Sequence, residues 1–136
     1  QLGADLVLGK DDNIVETILA HTNGKGVDNS CEFSGAPSAL SNTIHSTRMG
    51  GYVNVLSVYG SETTQVPMND IVFRYLHLKG INGRKMWSTW DKMHELLSEG
   101  KIDIETLLTH RIPYREFNSA IELAISGDCG KVVLDF

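Results

Sequence analysis

The sequence predicts an α/β fold built on a parallel sheet, and three features carry that reading. Short apolar stretches that read as strands alternate with stretches of helical spacing. The connections between them are short, and the strand stretches are too apolar for one face to lie in water. Parallel strands require crossovers, which are right-handed in nearly all sheets, so the pattern describes half of a doubly wound sheet.

The elements follow in order. Asp5 to Leu8 reads as a short buried strand, followed by the turn Gly9-Lys10-Asp11-Asp12. A helix begins near Asn13, where Asn13-Ile14-Val15-Glu16 has capping-box spacing; Ile14, Val15, Ile18 and Leu19 form its apolar face and Asn23-Gly24 stops it. Val27 to Phe33 is the next strand. Pro37 suits the first turn of the following helix because its missing N–H would be unpaired there. That helix runs to about Arg48 with Leu40 and Ile44 inward, and Gly50-Gly51 ends it before a third strand, Tyr52 to Leu56.

Beyond this the pattern loosens. Tyr59 to Pro67 is polar loop, Asn69 caps a short helix through Tyr75, and Leu76 to Ile81 alternates as a strand. A longer helix carries Trp90, Met93, Leu96 and Leu97 at helical spacing and ends at Gly100, with core packing expected for both tryptophans. From Lys101 a short segment leads to His110-Arg111-Ile112-Pro113. A helix with Phe117, Ala120, Ile121 and Ala124 inward is closed by Gly127, and Lys131 to Phe136 forms the last strand.

The 136 residues bound this scheme, because a 15.0 kDa chain folds to about 7,000 Å² of surface against about 22,000 Å² unfolded. One core is feasible and two full domains are not. The net charge of −5 with scattered basic residues argues against nucleic acid or an anionic membrane, where clustered Lys and Arg neutralise phosphates. No apolar run reaches bilayer-spanning length. Two cysteines, Cys31 and Cys129, make no disulfide framework, so a reducing cytoplasm is expected. The five histidines lack metal-ligand spacing, and no zinc site is expected from this chain alone.

Ligands of open parallel sheets bind outside the carboxyl ends of the strands. Those ends are Glu32-Phe33-Ser34-Gly35, Leu56-Ser57-Val58 and Ile81-Asn82-Gly83, and a helix starting at Pro37 would favour an anion beside them. Gly24-Lys25-Gly26 follows a helix and precedes a strand, the reverse of a phosphate loop, so it is a connector. Acid–base candidates are few. Cys31 and Glu32 point to opposite faces of a strand, His94 and Glu95 diverge on a helix, and Ser34 lacks a nucleophile-elbow context. The residues alone describe a ligand-binding half-sheet without catalytic machinery.

Specific strings add to this. Leu2-Gly3-Ala4-Asp5, Gly24-Lys25-Gly26-Val27-Asp28, Glu32 to Pro37 and Gly50-Gly51-Tyr52-Val53 resemble the cofactor domain of zinc-dependent medium-chain dehydrogenases. Lys79-Gly80-Ile81-Asn82-Gly83-Arg84-Lys85-Met86-Trp87-Ser88-Thr89-Trp90 is more specific and is similar to the segment typical of the L-threonine 3-dehydrogenase family. Thr109-His110-Arg111 and Gly130 to Leu134 continue the likeness.

The resemblance implies a partial Rossmann-type sheet, with residues 1–100 as the C-terminal part of an NAD-binding domain and 101–136 as a return into a catalytic domain. It implies NAD-dependent oxidation of L-threonine to 2-amino-3-oxobutanoate, with NAD as cofactor and zinc polarising the substrate hydroxyl. The nicotinamide-side contacts fall on Leu56, Ser57, Val58, Ile81 and Asn82, with Ser57 in place of the glycine usual in that turn. The glycine-rich turn, the ribose-reading acid and the zinc ligands of the family would lie before Gln1. A C-terminal portion is therefore expected, inactive by itself and carrying no catalytic or metal-binding residue. The edge near Leu76–Gly80 is expected to pair subunits of a homo-oligomer. The alternatives are a sorbitol, butanediol or other alcohol dehydrogenase of the same superfamily, or a non-enzymatic binding module.

Overall fold

Residues 3–9 and 11–136 are described by the computed structural model. They divide into two compact units, one of residues 7–83 and one of residues 84–136 with residues 3–6.

In the first unit a three-stranded parallel sheet, ordered β1-β2-β3, is formed by β1 (Val27–Glu32), β2 (Thr47–Val55) and β3 (His77–Gly80). Its helices are α1 (Ile14–His21), α2 (Pro37–Ser46) and α3 (Met68–Phe73). Leu40 and Ile44 of α2 close over Val53 of β2 and Leu76, and Val55, Tyr59, Val66 and Ile71 pack around them. Apolar residues one helical turn apart on α2 thus meet the inward face of the central strand, and Ile44 and Val53 are fully buried.

Several expectations are corrected here. Asp5–Leu8 forms no strand: no ladder reaches it, and Val7 is 82% exposed. Lys10 of the following turn lies outside the described residues, as do Gln1 and Leu2. Asn13 does precede α1, but its side chain makes no cap to the backbone and instead donates to Glu16 Oε2 at 2.6 Å. Pro67, not Asn69, stands at the start of α3.

The largest difference lies at Gly50-Gly51. Helix α2 stops at Ser46, and the glycines sit inside β2, where the step from Thr47 to Tyr52 faces the step from Val27 to Asn29 as a bulge. The reason is non-local. The Arg74 guanidinium donates to the Ile44 and His45 carbonyls at 3.2 and 3.3 Å and to that of Thr47, satisfying the end of the helix, while Gly50 N–H donates to Arg74 O at 2.9 Å.

In the second unit, β4 (Leu108–Pro113) and β5 (Lys131–Asp135) pair in parallel, with α5 (Phe117–Ser126) as the crossover; α4 (Ser88–Ser98) precedes them. Gly127 closes α5 as expected. Of the four residues expected inward on α5 only Ala120 is buried, and Phe117, Ile121 and Ala124 are exposed. The tryptophans are not core residues: Trp87 and Trp90 are 71% and 52% exposed, and Trp90 carries the Arg84 guanidinium 4.6 Å from its ring centre. An amphipathic pattern fixes which face is apolar, not what covers it. No helix among the described residues is long and apolar enough to cross a membrane.

Candidate functional site

Parallel pairing with its register fixes where the strands end. Glu32 pairs with Val55, and Val55 with Gly80, so the three strands finish in one row. The ladder runs one step further, with Leu56 N–H donating to Glu32 O at 3.0 Å and Ile81 N–H to Val55 O at 2.9 Å. Leu56, Ser57, Val58, Ile81 and Asn82 therefore emerge side by side at the carboxyl edge of the sheet. Leu56, Val58 and Asn82 are exposed, and Ser57 and Ile81 half-buried. The Gly35 turn lies against this edge so closely that a side-chain carbon there would stand 2.7 Å from Val58 O.

Beneath the edge lies Glu32, which the sequence sets at the end of a strand without showing what surrounds it. Glu32 is 2% exposed, and both carboxylate oxygens are saturated. Oε1 accepts from the Ser34 amide at 2.7 Å, the Ser34 hydroxyl at 2.6 Å and the Gly35 amide at 3.1 Å. Oε2 accepts from the Ser57 hydroxyl, from the Tyr59 hydroxyl at 2.8 Å and, more weakly, from the Gly35 amide at 3.3 Å.

Burial alone would raise this carboxyl's pKa. The hydrogen bonds from Ser34, Ser57 and Tyr59 outweigh it and hold the group at about 2, so it is ionised at neutral pH. Burial and the neighbouring carboxylate both push the Tyr59 phenol up, which keeps its proton available for donation. Glu32 and Cys31 do point to opposite faces, with Cys31 exposed.

A cavity of about 510 Å³ lies between α1, β1 and α2, lined by Ile14, Ile18, Cys31 and Ala39 among others. Of the strand-end residues only Ser34 reaches it, so it is separate from the row of Leu56–Val58 and Ile81–Asn82. Among the described residues no three His, Cys, Asp or Glu side chains come together as a metal site, and these residues do not fit zinc.

Comparison with known proteins places this geometry. Residues 1–99 match the family model described as zinc-binding dehydrogenase. The chain is 42% identical over 135 residues to the L-threonine 3-dehydrogenase of Bacillus licheniformis and 38% identical to that of Bacillus subtilis. Each match covers 98% of this chain and 39% of the relative, so the chain spans about two-fifths of the length of the curated relatives it matches. Among solved structures, an alcohol dehydrogenase from Thermotoga maritima superimposes with a TM-score of 0.81 at 28% identity, over 97% of this chain and 38% of that one. The 2R,3R-butanediol dehydrogenase of Bacillus subtilis gives 0.78 at 26%, over 93% and 36%. The parallel α/β fold and the family match agree, and the chain belongs to the zinc-binding dehydrogenase family.

Proposed function

We propose that this chain is the second half of the nucleotide-binding domain, with the C-terminal return into the catalytic domain, of an NAD-dependent L-threonine 3-dehydrogenase. The observation that carries the reading is the row of Leu56, Ser57, Val58, Ile81 and Asn82 at one edge of a parallel sheet. These residues come from two separate segments, and the register makes them neighbours where such sheets bind ligands. In this reading they bound the nicotinamide side of NAD, which accepts the hydride as threonine becomes 2-amino-3-oxobutanoate. Domain limits near residue 100 are supported by the family match over 1–99.

The choice of threonine is supported by relatives named L-threonine 3-dehydrogenase that are 35–42% identical over 98% of this chain. Association through β3 is supported by its place at the end of the strand order, with all four residues exposed. The free thiols of Cys31 and Cys129 fit a reducing cytoplasm.

The test is an NAD-linked assay of the enzyme that carries this segment, run against L-threonine, 2,3-butanediol and sorbitol. Turnover on threonine well above the other two is expected, and strong turnover on a diol or polyol with none on threonine would overturn the substrate. In this reading the chain supplies about two-fifths of the length of the threonine dehydrogenases it matches. NADH formation by the isolated 136-residue chain is therefore expected at background.

A further inference from the structure

Glu32 has a geometry that core packing alone does not require. A buried carboxylate is costly unless every lone pair is met, and an apolar residue at the end of β1 would fill the same space without that demand. Glu32 instead joins two loops that share no backbone hydrogen bond beyond the one from Leu56 to Glu32 itself. Oε1 holds the turn after β1 through Ser34 and Gly35, and Ser34 Oγ in turn accepts from the Ala36 amide at 3.2 Å. Oε2 holds the segment after β2 through Ser57 and Tyr59. These donors flank Val58, which is 90% exposed and meets the Gly35 turn only through its backbone.

We propose that Glu32 is a positioning residue for the cofactor edge: its carboxylate bridges the β1 and β2 loops and holds the Leu56–Val58 backbone in the place where the nicotinamide side of NAD would rest. The inference depends on the cofactor reading of that edge. Glu32 touches no ligand in this scheme, because Ser57 stands between it and the surface. Its action is to remove the freedom of the loop before binding, so that ordering is not charged against affinity.

The test uses the isotope-labelled enzyme that carries this segment and two measurements, amide hydrogen exchange and NAD titration followed by NMR. In Glu32→Gln, the amide oxygen can still accept from Ser34 and Gly35, but an NH2 group then faces two hydroxyls that must both turn from donor to acceptor. Exchange at residues 56–59 is expected to rise about tenfold while Val53 stays protected, and the dissociation constant for NAD, read at Leu56, Ser57 and Asn82, is expected to rise about tenfold. Tyr59→Phe removes one donor and should move both readouts in the same direction by about threefold, which decides the matter if Glu32→Gln fails to fold.

Ile44→Val lowers stability without touching the carboxylate and should leave NAD affinity unchanged. If it weakens NAD as much as Glu32→Gln does, the role of Glu32 is general stability and the proposal falls. Unchanged NAD affinity in Glu32→Gln or, where that fails to fold, in Tyr59→Phe also overturns it. A wild-type enzyme whose strand-end signals at Leu56, Ser57 and Asn82 ignore NAD sinks the cofactor reading instead, whatever exchange shows for the loop.

Discussion

The chain builds the same motif twice, a parallel strand pair with a helical crossover, and the two copies reach very different degrees of burial. In β1–α2–β2 the helix buries Leu40, Ile44 and Ser46 against a strand whose Val53 is inaccessible. In β4–α5–β5 the helix buries only Ala120, and Phe117, Ile121 and Ile125 remain 52%, 43% and 79% exposed. Both crossovers are ten-residue helices of similar amphipathicity, so the helix is not what differs. The first copy has a third strand, with Leu76 at its entry, and the segment Tyr59 to Ile71 packed around the core. A crossover unit acquires an interior when further elements close its sides, and two strands with one helix do not suffice.

The largest effect that would break this comparison is in the core. Ile44→Ala should cost about 4 kcal/mol, transfer plus cavity, whereas Ile121→Ala at the corresponding crossover should cost about 1 kcal/mol or less. Urea titration followed by residue-resolved NMR intensities separates the two, because each unit then reports on itself. Equal losses would mean that the second crossover has an interior not visible in its exposure.

Acid sharpens the contrast next. Glu32 has a pKa of about 2 in the folded chain against an ordinary 4.5, so its contribution is full above pH 4.5, declines as pH falls from 4.5 towards 2, and is gone below. That difference corresponds to at most about 3 kcal/mol of stabilisation for the first unit. In the second unit Asp103, held low by the Thr106 hydroxyl and amide, and Asp135, held low by Arg111, shift in the same direction but lie in solvent, where screening leaves little. Amide protection in residues 27–55 should therefore fall between pH 4.5 and 2, and Glu32→Gln should flatten that dependence. A wild-type profile already flat over this range would show that the carboxylate is not stabilising.

Much of this was legible in the sequence, and the failures share a physical cause. Helices α1, α2, α4 and α5, strands β1, β3 and β5 and the second half of β2 follow from apolar spacing and from punctuation at Gly24, Pro37, Gly100 and Gly127, all of it local information. The strand-end row was legible because parallel sheets constrain where ligands bind, and Leu56–Val58 and Ile81–Asn82 do lie together. What was missed depends on distant residues. The end of α2 is set by Arg74, 30 positions beyond Ile44, and the Glu32 cluster by Ser57 and Tyr59, 25 and 27 positions away. Glu32 followed by Ser34-Gly35 was the only local signal of that cluster, and it is equally the signature of an ordinary turn.

The smallest prediction contrasts two glycines with nearly the same backbone. Gly26, before β1, and Gly127, after α5, have φ of +87° and +79°, so an L side chain is strained at either by about 1 kcal/mol. They differ in surroundings. A side-chain carbon at Gly26 would meet Ser46 O at 2.5 Å and Arg48 N at 2.8 Å, where α2 passes into β2, while nothing lies within 4 Å at Gly127. These neighbours are backbone, which cannot swing aside as a long side chain would. Gly127→Ala should thus cost only the conformational strain of about 1 kcal/mol, and Gly26→Ala about 2 kcal/mol more as β1 is pushed from the bulge in β2. Denaturant midpoints for each unit, read by NMR, give both numbers. If the two substitutions cost the same, Ser46–Arg48 yields freely, and the tight packing that distinguishes the first crossover does not extend to the turn that feeds it.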